Sequence, residues 1–96
     1  MSTTHVGVAN VVIRLSAIDS LKEKRGIAKS LSARIHNRYN VSIAEVRYND
    51  SLDLLGLAVA AVGNSRKVVD ALLAEVVQFM EEDRRFEVES YSTEFV

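Results

Sequence analysis

A hydroxyl beside a carboxylate, with an imidazole further along, is the raw material of nucleophilic catalysis, and Asp19, Ser20 and His36 supply those groups. Their spacing argues against that use. If residues 20–40 are helical, His36 lies more than four turns beyond Ser20, out of reach of its hydroxyl. Ser20 also has a simpler role. With Glu23 three residues on, it fits a capping box, in which the Ser hydroxyl accepts from the amide of Glu23 and the Glu carboxylate returns to the cap amide. His5 and His36 are the only histidines, they belong to no ligand-spaced cluster, and the chain has no cysteine, so no metal site and no disulfide is expected. The four glycines, Gly7, Gly26, Gly56 and Gly63, are scattered and form no phosphate-cradling loop. The expectation is a protein that is not an enzyme and needs no cofactor.

Charge is the more informative chemistry. From Lys22 to Arg38 there are six cations (Lys22, Lys24, Arg25, Lys29, Arg34, Arg38) and one anion (Glu23), a segment of +5 in a chain whose net charge is −1. At 100° per residue Lys22, Arg25, Lys29 and His36 form one stripe, beside a face of Leu21, Ala28, Leu31, Ile35 and Tyr39 with Ile27 at its margin. Lys22, Lys24 and Arg25 sit in the first turns, where the partial positive charge of the helix end disfavours cations by a few tenths of a kcal/mol each. A bound anion would reverse that sign. The residues singled out for RNA or anion binding are therefore Lys22, Lys24, Arg25, Lys29 and His36; the ordinary alternative is a solvated lysine-rich face. Gly26 costs the helix interior roughly 1 kcal/mol, tolerable if a backbone or ligand must approach there.

The elements that position this stripe follow from patterning. Ninety-six residues, 48% apolar and 26% charged, suit one folded domain over 1–96. The apolar run after His5 is interrupted by Asn10 and Arg14, too short for a leader or a membrane span, so a cytoplasmic location and no membrane partner are expected. Residues 6–15 predict a buried strand. Residues 41–48 predict a second, whose alternation slips between Ile43 and Val46 as at a bulge or edge. Residues 54–62 predict a third. Gly63-Asn64-Ser65 caps a second helix with Val68, Val69, Leu72, Leu73, Val76, Val77 and Met80 on one face. Residues 86–95 predict a last, acidic-faced strand.

The order is βαββαβ, and Val6-Gly7-Val8-Ala9 resembles Leu55-Gly56-Leu57-Ala58 at the head of each half. A repeated split βαβ unit points to an α+β, ferredoxin-like sandwich: a four-stranded antiparallel sheet with two helices on one face. Enzymes of this fold that hydrolyse acyl phosphates use a Gly- and Arg-containing loop after the first strand, unlike Ser16-Ala17-Ile18-Asp19. In the central strands both faces are apolar while the helices cover one, so a second copy is expected on the other, giving a homodimer. No aromatic residue lies on those strands for base stacking, which leaves phosphate contacts through the first helix to structured RNA. A homodimeric regulatory or assembly module, binding a protein or a small metabolite at its interface, is the alternative. Eight acidic and two basic residues from Asp70 to Val96 argue against that side facing RNA.

Ser20-Leu21-Lys22-Glu23-Lys24-Arg25, then Asn40-Val41-Ser42-Ile43-Ala44-Glu45-Val46, then Leu55-Gly56-Leu57-Ala58-Val59 with Gly63-Asn64, resemble in order and spacing the YlxP-like family of small bacterial proteins, a domain of unknown function. The resemblance covers nearly the whole chain and implies a ferredoxin-like fold. It implies a ribosome connection by association alone, because genes of the family commonly lie beside those for translation initiation and ribosome maturation. No activity, cofactor or catalytic residue comes with it. Members often carry an Asp, Trp, Gln, Arg-type stretch before the third strand, where this chain has Asp50-Ser51-Leu52-Asp53-Leu54.

Overall fold

The computed structural model describes residues 3–96 and bears out the expected order: β1 (His5–Leu15), α1 (Leu21–Arg38), β2 (Ser42–Arg47), β3 (Leu54–Gly63), α2 (Arg66–Glu81) and β4 (Phe86–Phe95). The strands form one antiparallel sheet in the order β2-β3-β1-β4, so the apolar first and third strands are central. Both helices lie on one side of it. Ala9, Val11, Ile13 and Leu15 of β1 alternate toward the helices with Leu55, Leu57, Val59 and Ala61 of β3. Against them pack Ala28, Leu31 and Ile35 of α1 and Val69, Leu73, Val76, Val77 and Met80 of α2, all buried. At roughly 1.5–3 kcal/mol for each large apolar side chain removed from water, this layer is what holds the domain together. Val68, assigned to the apolar face of α2 by its spacing, stands 64% exposed at the margin.

The other side of the sheet is bare. The register places Val6, Val8, Asn10 and Val12 beside Val62, Ala60, Ala58 and Gly56, all pointing away from the helices. Val62 is 63% exposed. The slip read in the β2 pattern is a bulge between Glu45 and Arg47 opposite Gly56, on an edge strand as the alternation implies. A second irregularity in β4 lies opposite Val12 and Ile13.

The likeness between the two halves holds at the level of topology and fails at the matched strings. Gly7 faces α2: a β-carbon there would come within 2.9 Å of Val69, 3.0 Å of Leu73 and 3.1 Å of Phe95, so its absence lets the helix sit down on the sheet. Gly56 has the opposite orientation, pairing with Val12 on the bare face, where a β-carbon would meet that of Arg47 at 2.7 Å. The two strings are one residue out of phase with the pleat.

Candidate nucleic-acid interface

Helix α1 starts as the sequence indicates. Ser20 is extended (φ −152°, ψ 157°) and its Oγ accepts from the amide of Glu23 at 3.1 Å. The return arm lands one residue earlier than in the expected box: Glu23 Oε2 accepts from the amide of Asp19, at 3.1 Å, in place of that of Ser20. With its hydroxyl engaged at the cap and His36 in the last turn of the same helix, Ser20 forms no constellation with an imidazole.

Three of the five singled-out residues form the exposed ridge. Lys22, Arg25 and Lys29 project into solvent at steps of three and four residues, and none makes an ion pair or a side-chain hydrogen bond among the described residues. His36, also exposed, continues the line; its Nδ1 lies 3.4 Å from the carbonyl oxygen of Val41. Lys29 and His36, with Ser32, Ala33, Ser42 and Ile43, edge an open groove of about 420 Å³ where α1 runs beside β2. The ridge crosses no aromatic side chain, so it offers charge and no stacking platform.

Lys24 corrects the sequence reading. It is 1% exposed, turned under the helix, with its ammonium donating to the carbonyl oxygens of Tyr48 and, at 2.7 Å, Ser51, and lying 3.6 Å from the Glu45 carboxylate. Its charge is used inside the protein, tying the turn after β2 to the first helix, and it does not belong to the surface. The signal was present in the spacing: Lys24, Ala28, Leu31 and Ile35 fall at i, i+4, i+7 and i+11 and are the buried residues of α1. Gly26, expected to admit a close neighbour, has open space around it, with no heavy atom within 4 Å of a β-carbon placed there.

The remaining cations of the segment turn toward α2. Arg34 pairs with Asp83 at 3.0 Å and lies over the Phe79 ring at 5.1 Å, while Arg38 lies over the Phe79 and Tyr39 rings at 5.3 and 5.7 Å. Asp83 also receives Arg85 at 2.8 Å, and these guanidinium hydrogen bonds hold its carboxyl far below the usual carboxylate range. Between the two helices Arg38, Tyr39, Glu75, Gln78, Phe79 and Glu82 line a cleft of about 440 Å³ that the sequence reading did not anticipate. Its walls carry both signs of charge from elements far apart in the chain, and no local pattern announces it.

Among the described residues, no set of three or more His, Cys, Asp or Glu is gathered as a metal site, and no helix is long and apolar enough to cross a membrane. A ferredoxin-like sandwich with a cationic ridge on its first helix is thus the class that fold and surface define. Within that class the chain belongs to the family described as protein of unknown function (DUF503), whose model matches residues 6–93. It is similar to the uncharacterized protein YlxP of Bacillus subtilis (strain 168), 34% identical over 76 residues, spanning 79% of this chain and 83% of that protein. These relationships indicate no catalytic family.

Proposed function

We propose that this protein is a non-catalytic binding module that holds structured RNA, as in ribosomal particles, through the ridge of α1. The observation that carries the reading is the exposure of Lys22, Arg25 and Lys29 on one stripe, with none of them in an ion pair among the described residues. Two of these cations stand in the first turns of a helix, where the helix dipole opposes them. A polyanion laid along the ridge neutralises the cations and meets the helix end with the favourable sign. The flat aromatic platform used to read single strands is missing from the central strands, so the contact is with phosphates of a folded RNA.

The test is co-sedimentation with ribosomal RNA or ribosomal subunits at low salt. With three cations engaged, log K falls against log salt with a slope near −3, taking about −0.9 per phosphate from duplex behaviour. The triple variant Lys22→Glu, Arg25→Glu, Lys29→Glu loses the binding while keeping the wild-type circular dichroism spectrum. Unchanged binding by the folded triple variant rejects this surface.

A second reading, a homodimeric assembly or regulatory module, is favoured by one different observation: the valines and alanines on the bare side of the sheet, with Val62 63% and Val46 47% exposed.

A further inference from the structure

The bare side of the sheet has a relief as well as an apolar character. On β1 it carries the larger side chains Val8, Asn10 and Val12; on β3 the residues paired with them are Ala60, Ala58 and Gly56. Beside Gly56 lies a dent of about 60 Å³, edged by Asn10, Val12, Val46 and Arg47. The face is a raised row next to a lowered one. Its two flanks differ in charge. On the β4 side lie Glu87, Glu89 and Glu94, with Ser90 and Ser92 along the same flank and Arg14 of β1 bonded to Glu89 at 2.7 Å, which leaves the flank net acidic, whereas the β2 side offers Ser42, Ala44 and Arg47.

We infer that this face is closed by a second copy of the chain, stacked sheet on sheet about a two-fold axis that runs parallel to the strands between β1 and β3. The inference deepens the second reading above and is independent of the α1 ridge. Of the two aligned ways to lay the face on its own copy, only this axis sets β1 over the partner's β3 and leaves each residue at the height of its register partner. Val12 then enters the dent beside the other copy's Gly56, Val8 stands over Ala60, and Asn10 over Ala58, each contact made twice. Raised meets lowered, which is what close packing requires. At one end Val6 and Val62 of both copies gather into a single apolar cluster.

Charge agrees with shape. The register ties Arg47 to Gly56, Gly56 to Val12 and Val12 to Ser90, so Arg47 shares a level with the Glu89–Ser90 step of β4. The strand-parallel axis carries β4 over β2 and brings each Arg47 over that step of the other copy, where it joins Arg14 in sharing the carboxylates of Glu89 and Glu87. The axis perpendicular to the strands would stack β1 on β1, β3 on β3 and the acidic β4 on itself, leaving voids between alanines and like charges face to face. Asn10, the one polar residue in the middle of the face, is beside Ser92 in the register, which gives its amide a hydrogen-bonding neighbour once water is excluded. Strands of 11, 10, 10 and 6 residues, at about 4.8 Å between strands and about 3.4 Å per residue, make a face of roughly 600 Å² per copy, about 1,200 Å² in all, the lower limit of a specific interface.

Because the chain has no cysteine, the geometry can be read directly by cross-linking. Ala44→Cys and Ser92→Cys, which the register places at one level on the outer strands β2 and β4, are treated separately and as a mixture with a short bis-maleimide able to span stacked sheets about 10 Å apart. The mixture gives a covalent dimer joining one variant to the other, and neither variant links efficiently to itself. Light scattering on the unmodified protein gives twice the chain mass at tens of micromolar, and Ala58→Arg, folded by circular dichroism, gives a monomer. A wild-type monomer at that concentration, or self-linking of Ala44→Cys in place of the mixed product, overturns the inference. Neither result depends on RNA binding.

Discussion

The ammonium of Lys24 donates to the carbonyl of Tyr48, a residue whose backbone is left-handed at φ 62°. A non-glycine residue in that region costs roughly 1–2 kcal/mol, so the turn needs an external hold. Lys24 provides it, bonding Ser51 as well and lying beside Glu45. A lysine that reads as surface charge is therefore a strut between the first helix and the turn between β2 and β3.

Lys24→Met leaves two carbonyls and a carboxylate without their cation, and destabilises the fold by about 2–4 kcal/mol. Lys22→Met, on the exposed ridge, changes stability by less than about 0.5 kcal/mol. Urea denaturation of both variants separates the roles; equal midpoints would place Lys24 outside the framework.

Gly26→Ala raises stability by about 0.5–1 kcal/mol, since the site is helical, exposed and open around the added carbon. The measurement is the shift in the thermal midpoint. A loss of stability would mean that the helix needs its glycine there.

Gly7→Ala has the opposite sign. The new methyl group meets Val69, Leu73 and Phe95 at 2.9–3.1 Å, and relieving that overlap costs roughly 1–3 kcal/mol as α2 is pushed from the sheet. A wild-type denaturation midpoint for Gly7→Ala would show that these side chains yield freely.

Asp83 makes the fold acid-sensitive. Its folded-state pKa is depressed, first by the hydrogen bond from Arg85 and further by Arg34. The unfolded carboxyl titrates near 3.9, so the contribution is complete above that pH and is lost as pH falls toward the folded value. Asp83→Asn lowers stability at pH 7 and flattens its decline between about pH 4 and pH 2. Parallel stability curves for the two proteins over that window would remove Asp83 from the acid response.

Periodicity carried the architecture because burial and pleat leave direct traces in the chain. The strand from residue 54, the amphipathic run after Ser65 and the slipped alternation before Arg47 appear as β3, α2 and the β2 bulge. The ridge was legible only in part. Lys22, Arg25 and Lys29 stand where a helical wheel puts them, but at Lys24 residue type and position disagree: its charge points to the surface while its angle matches Ala28, Leu31 and Ile35. Arg34 and Arg38 belong to the same basic segment in the chain, yet their surroundings are set by Phe79 and Asp83, more than forty residues away, and no local spacing encodes that meeting. The phase difference between Gly7 and Gly56 was hidden for a related reason: short strings can match while the pleat beneath them does not.

Placing both helices on one side makes the molecule a slab with unlike sides, one with a cationic ridge, the other with an oily centre, and these two features respond to dissolved ions in opposite directions. A kosmotropic salt such as sodium sulfate weakens attraction at the lysine side by screening and strengthens adhesion at the valine side by raising the cost of wetting it. One titration of ionic strength therefore sorts any companion this protein is found with by the side it came from: those shed early were held by α1, and those that stay were held by the sheet.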